Sequence, residues 1–181
     1  MNHHEYREAL VPIYLSLGSN IGERQRNIQK ALRLLKEKSF TISKVSSLYE
    51  TSPWGKKNQP YFLNLVIEGE TDLLPEMLLE KIKRIENEMG RVEKKRWRAR
   101  IIDIDILFYN QEIIDTPSLK IPHLQLHRRA FVLIPLNEIA PGFIHPILNK
   151  SVKDMLQNLD DKGKVLKYKG VFNPRRLWAC P

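Results

Sequence analysis

The sequence predicts an α+β fold in which an antiparallel sheet packs against helices on one of its faces. Two observations support this class. Segments with the residue content of strands alternate with segments whose apolar residues recur at helical spacing. Their order is strand, helix, strand, strand, helix, strand, which is typical of a two-layer sandwich. At 181 residues the chain is long enough to bury the core of one such domain.

The first half of the chain supplies three strands and one helix. PIYLSL (Pro12–Leu17) has the length and composition of a short strand. Asn20, with Glu23 three residues later, matches the capping box that opens a helix. The helix then places four apolar residues on one face, Ile28, Ala31, Leu32 and Leu35. FTISKVSSLYET (40–51) predicts one strand with a buried face, and YFLNLVIEGE (61–70) predicts a second strand that pairs with it.

The second half supplies a strong helix pattern and the last strand of the sandwich. LLPEMLLEKIKRIENEMG (73–90) has apolar residues at helical spacing, a proline in its first turn and a glycine at its end. A strand follows within RIIDIDILFY (100–109), and shorter helices are expected near 129–139 and 151–159. The order of elements therefore predicts a ferredoxin-like βαββαβ sandwich with a C-terminal extension.

The predicted domain covers residues 12–160, between a loose N-terminal arm (1–11) and a basic C-terminal tail (161–181). No uncharged apolar run is long enough to span a membrane, and MNHHEYREALVP lacks the apolar region of a secretory signal. The single cysteine, Cys180, cannot form an intramolecular disulfide. We therefore expect a cytoplasmic protein.

The net charge of +9 is concentrated in two segments. Residues 91–100 carry six arginines and lysines against one glutamate, and residues 150–181 carry eight against three aspartates. Such clusters indicate an anionic partner, either a phosphorylated small molecule or a nucleic acid. For the tail, a solvated basic face is the alternative.

Two aspartates interrupt the apolar pattern of the last predicted strand. Because side chains alternate along a strand, Asp103 and Asp105 share one face, with Cα atoms roughly 6.5–7 Å apart. The other face is predicted to be an apolar row of Ile102, Ile104, Ile106 and Phe108. Paired carboxylates can hold Mg²⁺, and the arginines just upstream can hold phosphates. A solvated strand face with surface ion pairs is the alternative, and the P-loop pattern G-x-x-x-x-G-K-[ST] does not occur.

Six motifs follow one another along the chain, namely LGSNIGER, YETSPWG, QPYFLN, RIENEMGR, RW with RIIDIDIL, and IPHLQLHRRAFVLIPLNEIAP. From about Ile13 to Ile147 this series resembles the 6-hydroxymethyl-7,8-dihydropterin pyrophosphokinase family of folate synthesis. The resemblance implies an ATP-dependent diphosphotransferase that transfers diphosphate from ATP to the hydroxymethyl group of a reduced pterin and releases AMP. It also implies two Mg²⁺ ions bound by Asp103 and Asp105.

The resemblance further implies which side chains bind each substrate. The catalytic set is Asp103, Asp105, Arg91, Arg100 and Trp97, the last on a mobile loop. The ATP-binding set is Glu86, Arg91, Trp97, Arg100, His123 and Arg129. The pterin-binding set is Thr51, Ser52, Trp54, Phe62, Asn64 and Phe131, whose phenylalanines would sandwich the ring and whose asparagine would hydrogen-bond it. The turn from Gly18 to Asn20 would support the pocket wall.

Four positions depart from the family pattern and bear on ATP affinity and loop dynamics. Phe62 lacks the hydroxyl of the tyrosine in some relatives, and Leu124 follows His123 where a tyrosine is common. Lys83 stands where a glutamine is expected, and Glu93 lies in a basic loop that is one residue shorter.

The expected partners are ATP and a reduced pterin, with no nucleic acid and no membrane, and the chain is expected to act as a monomer. A ferredoxin-like RNA-binding module is the second interpretation, because the chain combines basic segments with the sandwich order. Its [KR]-G-[FY]-[GA]-F-V-x-[FY] strand is missing, and two aspartates on the open face would repel a phosphate backbone. The sequence assigns no role to the basic tail.

Overall fold

A six-stranded antiparallel sheet organises the fold. The computed structural model describes residues 6–37, 40–54, 58–90 and 99–172. Its elements in chain order are β1 (Tyr6–Ser19), α1 (Arg24–Lys36), β2 (Thr41–Val45), β3 (Tyr49–Thr51), β4 (Phe62–Leu73), α2 (Pro75–Glu88), β5 (Asp103–Tyr109), β6 (Ile114–Asp115), β7 (Lys120–Ile121), a 3-10 turn (Leu126–Arg128), α3 (Ala130–Ile139), α4 (Val152–Gln157) and β8 (Val165–Lys167). None of the helices in these ranges is long and apolar enough to cross a membrane.

The strand order confirms the predicted ferredoxin-like fold. It runs β5-β1-β4-β3-β8, with β2 also paired to β4, while β6 and β7 form a separate small sheet. The central strand β1 pairs with β4 on one side and with β5 on the other. Gly18, near the end of β1, therefore has Asn64 and Asp103 as its two neighbours across the sheet. This register brings residues from distant parts of the sequence to one end of the sheet.

The first strand begins earlier than the sequence predicted. The expected loose arm is wrong for residues 6–11, because β1 covers Tyr6–Ser19 and not only Pro12–Leu17. The pairing of β1 with β4 shifts register between Tyr6 and Val11. Such a bulge breaks the alternation by which a strand is recognised in a sequence.

The segment expected as one strand over 40–51 forms two strands, so that prediction was wrong. Both β2 and β3 pair with β4, but three residues separate Val45 from Tyr49 where only two separate their partners Ile67 and Asn64. The extra residue is a bulge. Ser46 stabilises it, since its hydroxyl accepts the N–H of Val66 at 3.0 Å.

The predicted capping box of the first helix does not form. The N-cap position of α1 is Glu23, and no side chain caps this end. The Asn20 side chain instead accepts the backbone N–H of Arg100 at 2.6 Å, in the segment that leads into β5. The Asn20 side chain therefore binds the backbone of Arg100, a distant residue, and not the first turn of its own helix.

Two apolar clusters pack against opposite faces of the sheet. The first contains buried residues of α1 and α2, among them Ile28, Leu32, Ile82 and Ile85. The second contains buried residues of α3 and α4, among them Val132, Leu136, Val152 and Met155. The two helices of the βαββαβ unit thus lie on one face as predicted, while the C-terminal extension covers part of the other.

The apolar row of β5 is shorter than predicted. Ile102, Ile104 and Ile106 belong to the first cluster, but Phe108 packs in the second cluster together with Leu107. The register with β1 shifts at this point, so that Tyr14 pairs with Phe108 while Leu15 pairs with Ile106. The bulge interrupts the alternation of side chains along the strand. As a result, Phe108 packs against the C-terminal extension.

Part of the basic tail joins the fold. Residues 165–167 form β8, which pairs with β3 at the edge of the main sheet. Tyr168 and Phe172 then pack against the first apolar cluster. Charge was the main sequence signal in this segment, and these strand and packing contacts were not predicted.

Candidate active site

A cavity of about 550 Å³ opens at the end of the sheet where β1, β4 and β5 meet. It is lined by Ser16, Gly18, Thr51, Ser52, Trp54, Gln59, Phe62, Asn64, Arg100, Asp103, Asp105, His123, Gln125, Arg129 and Phe131. Eleven of these side chains belong to the sets implied by the family resemblance. The fold therefore collects residues from both halves of the sequence around one space.

The aspartate pair forms the acidic side of this cavity. Asp103 and Asp105 project from the same face of β5, as the alternation of a strand requires. Across the sheet, Gly18 pairs with Asp103 and Ser16 pairs with Asp105. Because both β1 residues are small, they leave room for ligands in front of the carboxylates.

Two arginines lie beside the aspartate pair. Nη1 of Arg100 lies 2.5 Å from Oδ1 of Asp103, and Nη1 of Arg129 lies 3.9 Å from Oδ2 of Asp105. Burial and the neighbouring Asp103 carboxylate raise the pKa of Asp105 from 3.8 to about 7. The arginines only partly offset this effect, so a cation would be favoured beside the pair.

The donor set fits a hard divalent cation. Both aspartates offer carboxylate oxygens, the ligands that Mg²⁺ prefers, and Mg²⁺ usually keeps waters and phosphate oxygens as its other ligands. Among the described residues, no group of three or more histidines, cysteines and acidic residues could enclose a metal. The pair therefore suits an ion that is shared with a phosphorylated substrate better than a fully enclosed structural metal.

His123 adds a neutral donor to the cavity. Its Nδ1 accepts the N–H of Gln125 at 3.2 Å. Burial and the positive charge of Arg129 lower the pKa of His123 to about 4. A neutral ring that accepts at Nδ1 carries its proton on Nε2, so this atom can donate a hydrogen bond to an anionic ligand.

Aromatic and amide groups form the other side of the cavity. Phe62 begins β4 and Phe131 lies in the first turn of α3. The buried Asn64 amide donates to Oγ1 of Thr51 at 2.7 Å, which fixes its orientation. The guanidinium carbon of Arg129 lies 4.6 Å from the ring centre of Trp54 and 5.6 Å from that of Phe131, at the border between the polar and aromatic sides.

Asn20 joins two loops that flank the cavity. Its side chain accepts the N–H of Arg100 at 2.6 Å, and its own N–H donates to the Arg100 carbonyl at 3.0 Å. Its Nδ2 donates to the carbonyl of Pro60 at 3.3 Å. The buried asparagine therefore holds the segment that carries Arg100 against the loop that precedes Phe62.

Three residues of the predicted site are not among those that line the cavity in the described part of the chain. Arg91 and Trp97 fall outside the residues that the structure describes. Glu86 is buried and is not among the residues that line the cavity; its carboxylate accepts the N–H of Ile104 at 2.9 Å, between the two aspartates of β5.

Three lining residues were missed in the sequence. Ser16 has the clearest signal, because it alternates with Gly18 along β1 as a small residue on a strand that is otherwise rich in large apolar side chains. Gln59 and Gln125 lie in loops, where no periodicity indicates the direction of a side chain.

Comparison with known proteins identifies the family. Residues 14–141 match the family described as 7,8-dihydro-6-hydroxymethylpterin-pyrophosphokinase (HPPK). A protein of Aquifex aeolicus named 2-amino-4-hydroxy-6-hydroxymethyldihydropteridine pyrophosphokinase is 48% identical over 145 residues, which cover 80% of this chain and 90% of that protein. The Bacillus subtilis protein of the same name is 47% identical over 127 residues, or 70% of this chain and 76% of that protein.

A solved structure supports the fold. The Plasmodium falciparum HPPK-DHPS A437G protein, crystallised with SDX-DHP, superimposes with a TM-score of 0.69 over 86% of this chain, at 22% sequence identity. This chain spans 46% of the length of that one. On the family match and the two bacterial relatives, the chain belongs to the 7,8-dihydro-6-hydroxymethylpterin-pyrophosphokinase family.

Proposed function

We propose that the cavity holds ATP and 6-hydroxymethyl-7,8-dihydropterin together and transfers diphosphate from one to the other. Membership of the family makes the chain a pyrophosphokinase of folate biosynthesis with ATP as its co-substrate. The observation that carries the detailed proposal is that one cavity is lined by the Asp103–Asp105 pair together with Asn64 and Phe131.

The phosphates would bind on the basic side of the cavity. Arg100 and Arg129 supply charged donors, and His123 supplies a neutral one. The buried Nε of Arg129 has no hydrogen-bond partner among the described residues, which is costly unless a ligand supplies an acceptor. Arg91 and Trp97 are proposed to complete this side, on the strength of the family resemblance alone.

Asp103 and Asp105 would hold Mg²⁺ at the boundary between the two substrates. When bound, the metal would supply positive charge against the phosphates. The carboxylates fit this role because they are adjacent, repel one another and lie open to the cavity. Arg100, which pairs with Asp103 at the cavity wall, would supply a charged donor to a phosphate oxygen beside the metal site.

The pterin would bind on the aromatic and amide side. Phe62 and Phe131 offer flat apolar surfaces for the ring, and such stacking does not require the hydroxyl that Phe62 lacks. Asn64 would hydrogen-bond the ring edge, with Thr51 holding the amide in place. Ser52 and Trp54 close the same edge.

In the proposed step, the hydroxymethyl oxygen of the pterin forms a bond to the β-phosphorus of ATP. The bond between that phosphorus and the oxygen bridging to the α-phosphate breaks, AMP leaves, and the hydroxyl proton passes to water. No covalent protein intermediate is required, so the side chains act by positioning and by electrostatics. Glu86 remains proposed as a residue of the nucleotide site, although its carboxylate binds the free edge of β5 and does not line the cavity.

The direct test is to incubate the purified protein with ATP, Mg²⁺ and 6-hydroxymethyl-7,8-dihydropterin and to identify the released nucleotide. We expect AMP, and only when the pterin is present. ADP would contradict diphosphate transfer, because it reports attack on the γ-phosphorus.

The chain is further proposed to act in the cytoplasm as a monomer, without a nucleic-acid partner.

A further inference from the structure

We infer that the C-terminal segment 161–168 positions the pterin-binding wall of the cavity and is part of the catalytic domain. The inference rests on the proposed pterin side of the site. The family match covers residues 14–141, so this segment lies outside it. It contacts both walls that flank the pterin position.

The first contact is a short strand pairing beside Thr51 and Ser52. Strand β8 pairs with β3, so that Val165 faces Thr51 in the register. Just before this ladder, the N–H of Ser52 donates to the Lys164 carbonyl at 2.9 Å, and the Lys164 N–H donates to Oγ of Ser52 at 3.0 Å. Without the segment, this end of β3 would be an unpaired sheet edge.

The second contact is made by Asp161 at the start of α3. Its Oδ2 accepts the N–H of Ala130 at 2.8 Å, while its Oδ1 accepts the N–H of Gly163 at the same distance. The N-cap residue Arg129 makes no side-chain cap of its own. Asp161 therefore caps the helix from a distant part of the chain, between the two side chains Arg129 and Phe131 that enter the cavity.

The two contacts are joined by only two residues, Lys162 and Gly163. One short stretch of backbone thus fixes the Ser52 edge and the Phe131 side of the pterin position relative to each other. Further on, the N–H of Tyr168 donates to the Leu48 carbonyl at 2.8 Å, which anchors the segment beyond β8. This double attachment favours a positioning role over that of a solvated basic tail.

The test uses Asp161→Ala, with Asp160→Ala as a matched control that makes the same change of charge one residue earlier. We expect Asp161→Ala to raise the KM for the pterin by about threefold or more, as loss of a helix cap lets Phe131 move, with a smaller change in the KM for ATP. Asp161→Asn keeps an acceptor oxygen and should restore pterin binding. A melting curve of each variant checks that the chain is folded.

Two results would overturn the inference. Asp161→Ala could behave like Asp160→Ala, or it could raise the KM for both substrates in equal proportion. Phe131→Ala separates this failure from that of the proposed site. If Phe131→Ala weakens pterin binding while Asp161→Ala does not, only the role of the segment is wrong. If Phe131→Ala has no effect on pterin binding, the proposed pterin side is itself wrong.

Discussion

Among single residues, two small residues of β1 leave the space that the larger groups of the site require. Ser16 lies opposite Asp105, and Gly18 lies between Asp103 and Asn64. A Cβ atom at position 18 would stand 2.5 Å from Oδ1 of Asn64, which is closer than a Cβ atom approaches another heavy atom in real structures. The glycine is therefore required by the amide beside it.

The substitution Gly18→Ala should displace the Asn64 amide and leave the rest of the fold in place. Loss of one hydrogen bond to the pterin would raise its KM about tenfold. Steady-state kinetics with each substrate varied in turn measure the effect. Gly142→Ala is the control, because nothing lies within 4 Å of a Cβ at that position. An unchanged pterin KM would refute the role assigned to Asn64.

Removing either carboxylate of the pair should slow the reaction severely. We expect Asp103→Ala and Asp105→Ala to lower kcat by about 100-fold or more, because the charge that would hold Mg²⁺ is lost. Titration of Mg²⁺ into each variant should show weakened binding. Asp115→Ala provides the control, since Asp115 forms a surface ion pair with Lys120. Activity near that of the unmodified protein would exclude a metal role for the residue.

Among the elements, β5 depends on contacts along both of its edges. It pairs with β1 on one side and has no strand partner on the other within the described sheet. Glu86 of α2 accepts the N–H of Ile104 there, at the residue between the two aspartates. The helix thus supports the strand that carries the metal ligands.

The substitution Glu86→Ala should lower the free energy of unfolding by about 1–3 kcal/mol, because it leaves a buried N–H without an acceptor. Glu86→Gln keeps an acceptor and should lose less. Urea unfolding gives both values, with Glu80→Ala as a control on the exposed side of α2, where it removes only a surface pair with Arg84. If Glu86 also contacts the nucleotide, Glu86→Gln will in addition raise the KM for ATP.

Across the whole molecule, histidines that are buried or partly buried couple stability to pH. Burial lowers the pKa of His123, His127 and His145 below their ordinary value of 6.5. Between the lowered pKa and 6.5 the folded chain binds fewer protons than the unfolded chain. The neutral histidines therefore contribute fully to the free energy of unfolding above about pH 6.5, and this contribution is lost as the pH falls below that value. Asp105, whose pKa is raised, acts in the opposite sense.

His145 tests this coupling because it lies outside the cavity. Its Nδ1 accepts the N–H groups of Ile147 and Leu148 at 3.2 and 3.3 Å, and the nearby charge that contributes to its lowered pKa is that of His127. In His145→Gln, the free energy of unfolding should fall less between about pH 7.5 and 5.5 than in the unmodified protein. Urea unfolding at both pH values measures the difference. An equal fall in the two proteins would contradict the prediction.

Local patterns in the sequence were sufficient for the α+β class, the two main helices and the shared face of Asp103 and Asp105. Each depends on periodicity, which reports how neighbouring residues are directed. Residue types and their order along the chain were sufficient to predict the family, and the comparison with known proteins confirms it. The individual roles of the site residues remain predictions.

Tertiary structure alone decided where distant segments meet. Asn20 contacts Arg100 and does not cap its own helix, Glu86 binds the free edge of β5, and Phe108 packs in the second cluster. Asp161 reaches α3 from a segment in which the sequence signalled mainly charge. The physical reason is that hydrogen bonds and burial between remote residues depend on strand register and bulges, and these emerge only when the whole sheet is assembled.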